Sequence, residues 1–322
     1  MNSSFVLFLN TMILGIMISL CSNNFVSVWV GLEVSLLSFV PMIVNENILS
    51  SESSMKYFIV QALSSSLLLL GMMIMIMDYS YWGYLIISVS LMIKIGVAPF
   101  HSWVLSVVEG LNYLSLFFML FLMKIAPLFI MSLMNFSLTI LSLSSMVIAS
   151  ISGIIQNSIR KMLALSSIYN LGLIISCIYE IPVWLMYFFI YGLILSSMLI
   201  LISLLNSNYL NQIVFIEFNM FKKLLFWLVL LSMGGLPPFL GFFNKLIVIE
   251  FLIMNNELIL VFVLIMTALM VIYYYIRLSF ISLMFFSLML KFNMTKSTKF
   301  SISILIINLF SFPFILFEGN LI

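Results

Sequence analysis

Polarity along the chain alternates between apolar runs of about 20 residues and short polar breaks, with runs near 5–20, 25–44, 55–77, 82–111, 113–134, 137–155, 160–178, 183–206, 223–254, 258–285 and 301–318. A helix needs ~20 apolar residues to cross a ~30 Å hydrocarbon core, whereas membrane strands would show ~10-residue alternating segments. The pattern predicts an all-α polytopic membrane protein of about eleven transmembrane helices.

Two runs, the fourth and the ninth, are too long for one straight crossing, and each carries an interruption of the same design. The first reads Lys94-Ile-Gly96-Val-Ala-Pro99-Phe100-His101 and the second Gly234-Gly235-Leu-Pro237-Pro238-Phe239, sharing G-x-x-P-F. Proline lacks an N–H and frees the carbonyl four residues earlier, so such breaks must line protein or water rather than lipid. Paired interrupted helices point to an internal repeat around a central transport site. The expected organisation is one transmembrane domain over 1–322, with N-terminal helices in 1–80, a first broken-helix repeat in about 81–206 and a second, pseudo-symmetric and inverted, in about 207–322.

Composition narrows this further. The 322 residues are 65% hydrophobic and 7% charged, with mean hydropathy +1.32 and net charge +2, against about 25% charged in soluble domains. No polar stretch is long enough for a folded soluble domain. Phe5 to Leu20 follows no basic segment and no small-residue cleavage site, so it reads as a retained first helix without a targeting peptide. Cys21 and Cys177 lie in apolar runs, with no His or Cys spaced for a metal, haem or cluster. Abundant Met, Phe, Ile and Asn fit an A/T-rich organelle genome.

Basic residues should collect on one side of the membrane. Arg160, Lys161, Lys222, Lys223, Lys291, Lys296 and Lys299 fall in loops of one parity, and Asp78, Glu180 and Glu257 in loops of the other. That parity puts the N-terminus on the positive side, matrix or cytoplasm, and the C-terminus opposite.

Against this background three lone lysines, Lys94, Lys124 and Lys245, and one acid, Glu33, stand inside spanning runs. A charge at the bilayer centre costs ~2.5–3.5 kcal/mol on insertion scales, so it faces protein or internal water and marks an ion or proton path by default. Lys94 and Lys245 flank the two broken segments, and Lys124 sits three residues before Pro127. Each is thus expected beside loosened backbone that holds water. Glu33 requires a cation, with Lys94 first among the candidates. His101, the only histidine, reads as relay or as packing residue. Glu109 and Glu250 near run ends read as solvated carboxylates, with proton entry or exit as the bolder alternative, and Glu52 and Lys56 as interfacial groups.

These residues carry a family resemblance. Trp29-Val-Gly-Leu-Glu33, Met55-Lys56-Tyr-Phe-Ile-Val-Gln61-Ala, Lys94 to Trp103, Asn157-Ser-Ile-Arg160-Lys161 and Gly234 to Lys245 together resemble the antiporter-like membrane subunits of respiratory complex I, in the shortened eleven-helix form of bilaterian mitochondria. The resemblance implies that Glu33 and Lys94 form a first ion pair, Lys124 is the central lysine, and Lys245 lies toward the neighbouring unit. Asn244 stands where many relatives have proline, and one residue is missing between Asn157 and Ser158.

The resemblance also implies proton translocation in the mitochondrial inner membrane, with the N-terminus in the matrix and the C-terminus in the intermembrane space. The partners would be other membrane-arm subunits, neighbouring antiporter-like ones among them, and lipids, with no nucleic acid. No flavin, cluster or NADH motif is present, so FMN, iron–sulfur clusters and ubiquinone belong to other subunits and no metal is held here. Two other readings remain: a free-standing secondary transporter exchanging protons for sodium or a small solute, and a structural subunit with no proton path.

Overall fold

A computed structural model describes residues 3–45, 47–77, 80–134, 138–205, 207–209, 212 and 220–284. Asp78, Asn206, Lys291, Lys296, Lys299 and the eleventh predicted span lie outside the described residues. The elements are helices: α1 (Ser3–Cys21), α2 (Phe25–Ile43), α3 (Ile48–Ile76), α4 (Ser80–Ile95), α5 (Ser102–Val108), α6 (Tyr113–Phe117), a π-helical turn (Phe118–Leu122), α7 (Met123–Ser132), α8 (Thr139–Ile155), α9 (Ile159–Ser176), α10 (Ile181–Leu205), α11 (Met220–Gly234), α12 (Leu240–Met254) and α13 (Leu258–Met284). Among the described residues six stretches are long and apolar enough to cross a membrane: α1, α2, α3, Tyr113–Ser132, α10 and α13.

Both over-long runs are divided. The fourth becomes α4 and α5, the ninth α11 and α12. A 16-residue α4 rises only about 24 Å, less than the ~30 Å core. Its end therefore falls within the hydrocarbon depth. The third helix starts at Ile48, seven residues before the predicted run. Serines and a Glu52–Lys56 pair at 2.6 Å, both side chains well exposed, fill its first turns. At about 44 Å long it overshoots the hydrocarbon, so those polar turns reach the interface.

The chain forms two compact units, Met1–Ser145 with Ile178–Ile181, and Met146–Cys177 with Pro182–Ile322. In the first, α1 packs on α2 and α3 on α4, with α5 and α7 closing on α3 and α4. Small residues set the closeness. A Cβ at Gly15 would meet Ser35 N at 2.6 Å, and one at Gly31 would meet Ser19 N at 2.6 Å. Gly15-x-x-x-Ser19 and Gly31-x-x-x-Ser35 therefore let two backbones touch, the small-residue packing that replaces hydrophobic drive between membrane helices. On α3 the buried serines 50, 53, 64 and 65 return their hydroxyl hydrogens to carbonyls three residues back, which makes polar residues tolerable there.

In the second unit α11 packs on α13, and α9 touches α12 and α13. α9 is buried from Met162 to Tyr169 and again from Leu171 to Ile175, a helix covered on all sides along that stretch.

Candidate functional site

The first break is a complete hydrogen-bond problem solved locally. Gly96 takes φ +78°, the left-handed conformation that ends a helix without a Cβ penalty. Gly96 N and Val97 N both donate to Met92 O, at 2.9 and 3.2 Å. Carbonyls left open at the end of α4 and in the turn after it find side-chain donors: Trp103 Nε1 to Ile93 O at 3.1 Å, Gln61 Nε2 to Lys94 O at 3.2 Å, and Ser144 Oγ to Ala98 O at 3.1 Å. Buried backbone groups must be paired. Here three neighbouring elements supply the partners.

The second break repeats the glycine conformation and these turn hydrogen bonds. Gly235 also has φ +78°. Gly235 N and Leu236 N both donate to Leu231 O, at 3.0 and 3.3 Å. Phe239 N closes on Leu236 O at 3.0 Å, as Phe100 N closes on Val97 O at 2.8 Å. The G-x-x-P-F match therefore corresponds to a shared turn, with Pro99 and Pro238 both at its exposed tip.

Pro127 differs. It lies inside α7, which continues to Ser132, so it is no break. A proline removes one hydrogen bond and crowds the carbonyl four residues back. The helix absorbs the disturbance upstream as the π-turn Phe118–Leu122, where Met123 N donates to Phe118 O. The loosened backbone still adjoins Lys124, on its N-terminal side.

These features converge in the first unit on a cavity of about 20 Å³, room for about one water. Its lining includes Ser35, Tyr57, Gln61, Lys94, Trp103 and Lys124. Lys94 is 7% exposed and Lys124 4%. Lys94 sits in the last turn of α4, where the helix dipole favours a cation.

Glu33, one turn after Trp29 on α2, is not on the cavity wall. Its charge acts on both Lys94 and Tyr57, yet no ion pair within 4 Å joins Glu33 to Lys94. Its Oε1 is buried without a hydrogen-bond partner, and so is Trp29 Nε1. The expected contact pair is thus a through-space pair. His101 stands outside the cavity, with Nδ1 3.3 Å from Pro99 O. Glu109 and Glu250 are exposed.

Lys245 belongs to the second unit and is 6% exposed. Its ammonium donates to Gly234 O at 2.5 Å and lies 5.9 Å from the Tyr169 ring centroid. In the first break a tryptophan and a glutamine serve the open carbonyls; in the second the lysine itself takes part. Asn244, where many relatives have proline, is buried and donates to Tyr187 O at 3.4 Å.

Sequence reasoning passed over Gln61, Trp103 and Tyr57 as site residues. The usable signal was Gln61, a lone amide within an apolar run that has to find a partner inside the protein. Among the described residues no three His, Cys, Asp or Glu side chains come together as metal ligands.

The family model for the transmembrane region of NADH:quinone oxidoreductase and Mrp antiporters matches residues 22–271. NADH-ubiquinone oxidoreductase chain 2 of Anopheles gambiae is 38% identical over 259 residues, 76% of this chain and 75% of that one. The chain of the same name from Mus musculus is 34% identical over 263 residues, 76% of each chain. Among solved structures, a chain of respiratory complex I from Thermus thermophilus superposes with TM-score 0.80 at 20% identity, covering 87% of this chain and 71% of that one. A chain of the Mrp complex from Dietzia sp. gives 0.75 at 16% identity, covering 85% and 59%.

Proposed function

Since the chain belongs to the NADH:quinone oxidoreductase and Mrp antiporter transmembrane family, we propose that it is the chain 2 counterpart in a proton-pumping NADH–ubiquinone oxidoreductase. It works in the membrane arm of that complex. Electron transfer occurs in other subunits, which hold FMN, the iron–sulfur clusters and ubiquinone, while this chain moves protons through buried charge.

The observation that carries the reading is the pair Lys94 and Lys124, both buried on the wall of one small cavity. Two amines sharing a water-sized space cannot both hold full charge cheaply. A proton arriving at one therefore favours release from the other, and the Glu33 charge biases which amine keeps it. Lys245 is the corresponding carrier of the second unit. Moving one proton against ~150 mV requires about 3.5 kcal/mol, which the redox subunits supply.

We further infer that the chain forms eleven spans built as two inverted repeats, each with one broken helix, in the mitochondrial inner membrane with its N-terminus in the matrix and its C-terminus in the intermembrane space. The turn hydrogen bonds and positive φ common to the breaks at Gly96 and Gly235 support the repeat, and the identity to NADH-ubiquinone oxidoreductase chain 2 of animals supports the location.

The test is Lys124→Met, measured as protons pumped per NADH oxidised, with assembly of the complex followed in the same membranes. Lost pumping in an assembled complex is the expected result. Full pumping would remove Lys124 from the path and leave a structural role.

A further inference from the structure

Of the six long apolar stretches, α1 is the least buried. Met12, Gly15, Ile16 and Ser19 face inward, which leaves Ser3, Leu7, Asn10, Leu14, Met17 and Cys21 as an exposed stripe on the other side. The stripe has the alternating four- and three-residue spacing with which one helix packs along another. That spacing alone would suit lipid as well. Asn10 does not.

Asn10 is the eighth of the 19 residues of α1, about 10 Å from one end and about 16 Å from the other at 1.5 Å per residue. A helix of this length just spans the ~30 Å hydrocarbon core. The amide therefore stands inside the hydrocarbon, farther from either interface than an asparagine side chain reaches. It is exposed and makes no hydrogen bond with any described residue. Leu7 and Leu14, one turn to either side, are 58% and 59% exposed and do not shelter it. The adjacent Thr11 marks the contrast, since its hydroxyl donates to Leu7 O and Phe8 O of its own helix. An amide has two N–H donors and a carbonyl to satisfy, and hydrocarbon offers a partner to none of them. Inside a membrane such a side chain bonds across to another helix.

We propose that the exposed stripe of α1 is the docking face for a membrane-spanning helix of a neighbouring subunit, one that sets an amide or hydroxyl side chain opposite Asn10 in an otherwise apolar surface. The inference rests on the membrane-arm reading above; it adds which helix of this chain meets a partner and what chemistry that partner brings. Leu7, Leu14 and Met17 pack against the incoming helix, and Asn10 fixes its register, as a single polar residue does in a coiled coil.

Three measurements test this. Carbene labelling from a lipid-dissolved probe should mark Leu7, Asn10, Leu14 and Met17 several-fold less in the assembled complex than in the chain released by detergent; equal labelling overturns the proposal. Photoactivatable methionine at Met17 should cross-link to a membrane-spanning segment of another subunit. Capture of lipid alone, or of a second copy of this chain, overturns it. Asn10→Leu should lower several-fold the fraction of the chain that stays with the complex in mild detergent, while Asn10→Gln retains it; wild-type retention of Asn10→Leu overturns the polar contact. Native electrophoresis separates the two levels. A chain that migrates with the NADH-oxidising complex but takes full label on α1 leaves the membrane-arm reading standing and removes the docking face; a chain absent from that complex removes both.

Discussion

The Lys245 ammonium donates to the carbonyl of Gly234, eleven residues earlier, at 2.5 Å, and so ties α12 to the end of α11. One residue serves as a charge in the site and as the cap of a broken helix. Lys245→Met removes both. An unsatisfied buried carbonyl costs ~1–3 kcal/mol, so the thermal stability of the complex should fall together with its pumping. A fall in pumping at unchanged stability would show that Gly234 O needs no donor.

Gly235→Ala strains the same place by another route. The residue holds φ +78°, and a Cβ there would lie 2.8 Å from Lys245 Nζ. Strain of ~1–2 kcal/mol together with a displaced ammonium predicts a larger loss of pumping than Gly96→Ala, whose Cβ meets Val104 and Trp103 instead. Comparing protons per NADH in the two variants decides it.

Gln61→Leu keeps roughly the size of the side chain in α3 while removing the amide that donates to Lys94 O. The expected cost is ~1–3 kcal/mol, seen as reduced assembly or an earlier thermal transition. Wild-type stability would mean that water replaces the amide.

Gly31→Val should separate α1 from α2, since even a Cβ meets Ser19 N at 2.6 Å and Gly15 O at 2.7 Å. Overpacking of this kind costs ~1–3 kcal/mol, and the readout is the amount of assembled complex. Glu52→Gln provides the contrast. Its ion pair with Lys56 is 44–55% exposed and contributes roughly 0.5 kcal/mol or less, so assembly should be unchanged.

Much of the frame was legible because membrane burial leaves a coarse signal. Among the described residues, apolar runs located six helices long enough to cross a membrane, and glycine with proline located both interruptions to within a few residues. Lysines in apolar sequence stood out because charge there is so costly. What escaped was neutral. Gln61, Trp103 and Tyr57 have ordinary places in an apolar run, and only tertiary contact reveals whether their polar atoms are used. Pro127 was legible only in part, since sequence shows the missing N–H and the loosened backbone but not that the helix continues and redistributes the slack one turn earlier. The start of α3 was missed because its first turns are polar serines, helical by local bonds rather than by hydrophobicity.

That redistributed slack sets the angular phase of α7. In an unbroken α-helix, residues five apart point about 140° away from each other. Met119 and Lys124 are five apart, yet both line the same cavity, because the i→i+5 bond of Met123 N to Phe118 O widens the intervening turn. The lysine's heading is thus stored in the winding of the backbone rather than in its own rotamer. Removing a single residue from Phe118–Leu122 would restore regular winding and swing the amine by about 100°, with every side chain of the site still present.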